Sequence, residues 1–260
     1  MFDVNQATVL RTSRTLPQPV PDSQPVLGRG GRYGSAIVES LTPTKHVLSD
    51  EGSYFAVGNP TPGTGIAMTI STVFSDTVAM FAVKNGDDKN NQAAKRIYLD
   101  YLRLMLFGTP PTAQVSRQFA FKRSKATDRE PTTAANKTVL APVNLAGGAG
   151  RPSVGRWLSY SAAAAMTVPA SVASDEVVGR CSIPTGIGIA GDEYIVKFGS
   201  DPGESVQGLT AAKAVVPGRY VTHAGPIIIE PGEWLVIHEW CLTEATNGPT
   251  FEFEIGAWER

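Results

Sequence analysis

Three histidines (His46, His223, His238) and two cysteines (Cys181, Cys241) are the side chains of this 260-residue chain best suited to metal or nucleophilic chemistry. Their spacing does not assemble a site. His238 and Cys241 are three apart in an apolar run, and in a strand that spacing points them to opposite faces. A histidine sharing a strand face with Val236 and Trp240 reads as a packed, hydrogen-bonded side chain rather than a ligand. A hydrolase of the strand–elbow–helix kind would show G-x-S-x-G, and a phosphate loop G-x-x-x-x-G-K-[ST]; the sequence contains neither. The Gly-rich stretch from Gly147 to Gly155 carries no lysine and opens no helix, so it reads as a loop. Two acidic pairs remain. Asp87 and Asp88 follow Asn85-Gly86 in a turn and lack the ligand spacing of a calcium loop. Glu252 and Glu254 share a strand face about 7 Å apart, and paired carboxylates can hydrolyse glycosides. Such a pair needs a cleft and aromatic platforms, so these two read as a solvated face. No catalytic residue, metal ligand or cofactor is assigned, and no enzyme activity is expected.

The elements that would hold any site are strands. Pro226 to Trp240 is the strongest local signal: a β-branched run, a Pro231-Gly232 break, then a second apolar run. Pro sets the first corner of a turn and Gly supplies positive φ at the second. Leu235 and Ile237 occupy one face; Trp234, Val236 and Trp240 occupy the other. Both faces are therefore apolar, so the second needs a cover, and the arm or an adjacent subunit is the expected one. Thr250 to Trp258 alternates cleanly, with Phe251, Phe253, Ile255 and Ala257 inward and the two glutamates outward. Ala93 to Phe107 fits both periods: Ile97, Tyr101, Leu104 and Met105 lie at helical spacing, but the flanking runs are strands and strand is preferred. Further strands are expected around Ala36, Ser53–Val57, Thr64–Val83, Gln118–Lys122, Lys137–Val143, Val177–Ile183, Glu193–Phe198 and Arg219–Val221, with one helical turn at Ala162–Met166.

Composition agrees. Twenty-six glycines and 19 prolines suit many short strands joined by turns and argue against a helical bundle. The expected fold class is all-β, a β-sandwich of jelly-roll type with an extended N-terminal arm. Residues 1–35 form the arm: Leu16 to Pro21 suits polyproline II, and Gly28, Gly30, Gly31 and Gly34 separate Arg29 and Arg32. An arm with no core of its own is expected to dock on a partner. Residues 36–260 form the sandwich. The expected interface residues are Arg11, Arg14, Pro17, Pro19, Arg29 and Arg32 in the arm, with Trp234 and Trp240 in the body.

The net charge of −1 gives no global attraction to nucleic acid or membrane, and neither is expected as a partner. Arginines in the arm are too sparse for the basic arm of a small RNA-virus coat protein. No apolar run reaches the roughly 20 residues of a membrane helix, and residues 1–6 lack a secretory leader pattern. The two cysteines are accordingly expected as buried thiols rather than a bridge. Charge is uneven along the chain. From Lys84 to Glu130 ten basic side chains face five acids, and from Asp192 to Arg260 eleven acids face four basic side chains. Such complementary halves suit self-association or docking.

Several runs together resemble a known group. These are Ile97 to Leu104, Asp128-Arg129, Leu140 to Asn144, Gly191 to Tyr194, Phe198-Gly199, Pro231 to Glu233 and Phe251 to Arg260. Their succession, over roughly residues 50–260, is similar to virion structural proteins of tailed bacteriophages, of the capsid decoration or cement type. The resemblance implies a β-rich body without enzyme activity. It would be a homo-oligomer, a trimer over three-fold positions, bound to the major capsid protein on the outside of the virion and assembled in the host cytoplasm. Two other classes fit the same residues. One is another virion component: a tail, adaptor, fibre or jelly-roll coat protein. The other is a carbohydrate-binding β-sandwich module using Trp157, Trp234, Trp240 or Trp258 as sugar platforms.

Overall fold

Val, Ile, Phe and Tyr recur at a two-residue period in many runs of the described residues, and the backbone of those runs is extended. The computed structural model describes residues 9–10, 26–27, 29–30, 36–37, 48–49, 51–67, 72–107, 115–125, 128–132, 137–146, 150–160, 166–185, 190–199, 219–241 and 250–260. Among the described residues, helical backbone is confined to 48–49. The strands in chain order are β1 (Val9–Leu10), β2 (Val26–Leu27), β3 (Arg29–Gly30), β4 (Ala36–Ile37), β5 (Tyr54–Gly58), β6 (Ile66–Ala67), β7 (Val78–Ala79), β8 (Phe81–Asn85), β9 (Ile97–Phe107) and β10 (Val115–Ser124). They continue with β11 (Lys137–Leu140), β12 (Val143–Asn144), β13 (Gly155–Tyr160), β14 (Met166–Thr167), β15 (Glu176–Thr185), β16 (Glu193–Phe198), β17 (Arg219–Ala224), β18 (Ile228–Ile229), β19 (Trp234–Cys241) and β20 (Thr250–Glu259).

The chain divides into two units: Met1–Tyr54 with Asn144–Arg151, and Phe55–Val143 with Pro152–Arg260. In the first, β1 pairs antiparallel with β2 and β3 with β4. Asn144 ties its later segment together, its amide donating to the carbonyls of Gly52 at 3.0 Å and Arg151 at 2.8 Å. Apart from β1, β2 and β3, the expected arm lies outside the described residues.

The second unit holds two sheets. The first sheet is antiparallel and six-stranded, in the order β11-β13-β8-β19-β10-β15. The second runs β5-β20-β9-β16-β17, with β6 also on β20 and β18 on β9. β9 is antiparallel to β16 and β20, while β16 and β17 run parallel. The sheets pack face to face through edge-on aromatic pairs: Phe81 against Phe253 at 4.6 Å and Phe121 against Phe198 at 5.2 Å. Phe119, Phe121, Leu235, Ile237, Leu102, Leu104, Phe251 and Ile255 are buried between them. The fold is an all-β sandwich.

Two details explain the ambiguous sequence signals. In β9, Gly256 pairs with Tyr101 but Ala257 pairs with Leu99, so Asp100 is an extra residue. This bulge turns the inward face over. Ile97 and Leu99 are buried before it, and Leu102, Leu104 and Leu106 after it. An 11-residue strand that switches faces mimics helical spacing. The second detail is the corner before β19. Gly232 has φ +78°, its N–H donates to the Asn85 carbonyl at 3.0 Å, and Glu233 N–H closes the turn onto Glu230 at 3.0 Å.

β19 is central in the first sheet. Its Leu235 and Ile237 face the second sheet, cross-strand from Val83 and Phe81. On the other face, the stretch around His238 and Trp240 is covered by the chain itself. His238 Nδ1–H donates to the Val78 carbonyl at 2.7 Å, and the Phe74 ring lies edge-on to both His238 and Trp240. The segment is held in turn by β14, which pairs with β7, and by Val168 N–H donating to the Thr77 carbonyl at 2.9 Å. The expectation that an arm or a neighbouring subunit would supply this cover is therefore corrected. The cover was missed because Thr64–Val83 reads as strand throughout, whereas residues 72–77 form a loop whose mostly polar sequence does not state which face it lands on. Cys181 and Cys241 are free thiols, and burial pushes the Cys181 thiol up to about 12.

Candidate functional site

The acidic pairs are structural. Glu252 accepts from Gly63 N–H, and Glu254 from the Tyr101 hydroxyl, with Arg103 Nη1 at 3.9 Å. Burial and the hydrogen bond to Glu254 hold the Tyr101 phenol above its ordinary range. The two glutamates border a shallow groove of about 200 Å³ with Arg103, Met105 and Phe253. Asp87 accepts from Lys95 N–H at 2.7 Å and Asp88 from Asn90 N–H at 2.9 Å, so each shapes its own loop. His46 lies outside the described residues; His223 sits on β17 opposite Lys197, and His238 on β19. Among the described residues, no group of three His, Cys, Asp or Glu side chains is placed to hold a metal ion.

A denser arrangement lies on the outer face of the first sheet. β10 presents Lys122 beside Val236, two residues before His238 on the same face of β19. The Lys122 ammonium pairs with Asp76 and donates to Ser171 Oγ at 2.6 Å. The other Asp76 oxygen accepts from Ser171 N–H at 2.5 Å. Arg129, almost wholly buried, donates to the Asp76 carbonyl at 3.1 Å and to Asp175 at 3.4 Å. Asp175 in turn accepts from Val172 N–H at 3.2 Å. Two acids, two cations and a hydroxyl thereby tie residues 76, 122, 129 and 171–175 into one charged frame. Burial alone would raise the Asp76 carboxyl, but hydrogen bonds from Lys122 and Ser171 outweigh it and hold the group well below the usual carboxylate range. Burial holds His238 below its ordinary 6.5, and the nearby Arg129 and Lys122 charges act the same way. The Val78 hydrogen bond and Asp76 act in the opposite direction.

The frame carries an apolar patch. Phe74, Val172 and Val177 are 39, 44 and 42% exposed, and Val73 beside them is 71% exposed. Phe74 and Val177 both adjoin Lys122, whose ammonium is 6.0 Å from the Phe74 ring and whose Cα pairs with that of Val177, and Val172 follows Ser171, whose hydroxyl accepts from the same ammonium. Trp240, half-buried, touches Phe74 at 5.2 Å. Exposed apolar side chains held on a stiff support are a kind of surface that interactions use.

Of the expected interface residues, Trp240 borders this patch. Trp234 is 2% exposed, buried beneath Lys84 at 5.5 Å from its ring. Arg29 lies on β3, opposite Ile37. Arg11, Arg14, Pro17, Pro19 and Arg32 lie outside the described residues. Sequence reading missed Phe74 and Val172. The available signal was an apolar pair, Val73-Phe74, set among Ser, Thr and Asp. No protein-family model, curated protein or solved structure matches this chain.

Proposed function

We propose that this chain is a non-enzymatic structural protein of a virus particle, a capsid decoration or cement protein of the tailed-bacteriophage type. Its sandwich is taken to be of jelly-roll kind. It binds the outside of the major capsid protein as a homo-oligomer, a trimer in the form the resemblance implies, with no part for nucleic acid or membrane. The observation that carries this reading is the exposed patch of Phe74, Val172 and Val177 seated on a buried charged frame. A decoration protein must present a rigid apolar surface to a shell without deforming when it docks. Ion pairs that tie three loop residues, Asp76, Arg129 and Asp175, to one another and to Lys122 on β10 supply that rigidity, because each charge has its partner within the chain before any contact forms.

The test is assembly of particles without the protein, followed by add-back. Depleted particles should lose resistance to heat and to low ionic strength, and purified protein added at neutral pH should restore it. Depleted particles as robust as complete ones would remove the cement role.

A further inference from the structure

We propose that residues 72–79 form an acid-released latch: protonation of His238 breaks the hold of this segment on the first sheet and uncovers the apolar face beneath it. The latch rests on the geometry around one imidazole. His238 is 1% exposed. Its Nδ1–H donates to the Val78 carbonyl, and its Nε2 is buried with no hydrogen-bond partner among the described residues. A neutral imidazole tolerates this, since a bare lone pair costs less than an unpaired N–H that also carries charge. A second proton on Nε2 would be a buried donor without an acceptor.

The charges around the ring add to that cost. On β10, Ala120 lies directly across from His238, and Lys122 stands two residues along on the same face. From the 128–132 segment comes Arg129; from residues 171–175 comes Asp175, which is already paired with Arg129. From the latch itself comes Asp76, whose two oxygens are taken by Lys122 and Ser171. Glu239, the neighbour on β19, points to the other face and is paired with Arg117. An imidazolium would thus meet two cations and two carboxylates, Asp76 with both oxygens in use and Asp175 already paired with Arg129. Burial and the two cations accordingly hold the ring below its ordinary value, so the switch lies under pH 6.5.

Moving the segment offers relief. The Phe74 ring packs edge-on to His238 at 5.4 Å, so displacing it opens Nε2 to water. The same movement uncovers Trp240, on which the Phe74 ring also packs at 5.2 Å. The latch is a property of the isolated chain; that it changes a docking surface rests on the reading above.

The experiment uses the full chain alone, without particles. Between pH 7.5 and 5.0, the wild type should bind a hydrophobic dye at least threefold more strongly. Amide exchange at Val78 and Val168, corrected for the intrinsic pH dependence, should speed up tenfold or more, while Phe119 and Phe121 on β10 stay protected. In His238→Gln, which can still donate to the Val78 carbonyl but cannot charge, both responses should vanish. Equal responses in the variant, or full protection of the wild-type segment down to pH 5.0, would overturn the latch. Should the variant lack a cooperative melting transition, the wild-type His238 ring is titrated by NMR. Proton uptake coinciding with opening supports the latch, and uptake with the segment still protected overturns it. Loss of particle binding at pH 7.5 would bear on the docking role alone.

Discussion

Arg117 and Glu239 face each other inside the sandwich, 2.6 Å apart with side chains 0 and 3% exposed. Two charges removed from water cost several kcal/mol each, and their attraction returns that only while both are present. Arg117→Met should therefore lower the unfolding free energy by about 3–5 kcal/mol. Arg117→Met with Glu239→Leu should recover most of the loss, because no bare carboxylate remains. Urea titration of the two singles and the double tests this, and an additive double would contradict it. Asp76 lends itself to a second residue-scale experiment. Its folded pKa lies below the ordinary 3.8 because bonds from Lys122 and Ser171 outweigh burial. The unfolded chain thus binds the proton first as pH falls. The stability Asp76 contributes is complete above its unfolded pKa and is lost as pH drops toward the folded one. Asp76→Asn should melt lower at pH 7, and its melting temperature should fall less steeply than the wild type's below about pH 4. Parallel curves over that range would mean the carboxylate is not the group responsible.

At the scale of elements, the turn between β18 and β19 was readable from Pro231-Gly232 because the residue types state the dihedrals required. Gly232 does have φ +78°, and an added Cβ would meet nothing within 4 Å. The cost of Gly232→Ala is then conformational alone, about 1–2 kcal/mol, and Gly232→Asn should cost less because Asn tolerates that region. Equal denaturation midpoints for all three chains would show that the turn relaxes freely. Strand alternation in β20 and the apolar run of β19 were equally legible, since period-two burial is written locally. The switch of face in β9 was not. It depends on one extra residue, Asp100, that only pairing with Gly256 and Ala257 exposes. The cover over His238 was illegible for a related reason. It joins Val78 to a strand 160 positions later through a carbonyl, and any residue type carries one. Candidate-site residues follow the same rule: Trp240 stands out by type, whereas Phe74 matters by where its loop lands.

For the whole molecule, the uneven charge along the chain has a use inside the fold. Four cations of the basic stretch meet acids of the acidic one: Arg96 with Glu230 at 2.7 Å, Arg103 with Glu193 at 2.6 Å, Arg117 with Glu239 at 2.6 Å and Arg123 with Glu233 at 4.0 Å. Glu193 also takes Arg219, and the two guanidiniums outweigh the effect of burial to hold its carboxyl below the ordinary range. Strands β9 and β10 carry most of these cations, and β16, β19 and β20 pack beside them, so halves that look complementary in sequence neutralise each other within one chain. This changes what the protein offers a partner. With these charges satisfied internally, the proposed docking would rest on the apolar patch, and apolar contact is hardly screened by salt. Binding to depleted particles should weaken less than about threefold between 50 and 500 mM sodium chloride. Val172→Asp combined with Val177→Lys leaves every residue of the charged frame in place and sits at exposed positions. Its unfolding free energy should stay within about 0.5–1 kcal/mol of wild type, while its affinity for particles drops at least tenfold, roughly 1.4 kcal/mol. Steep salt dependence with unchanged affinity of the double variant would move the docking surface away from this patch and onto charged side chains elsewhere on the chain.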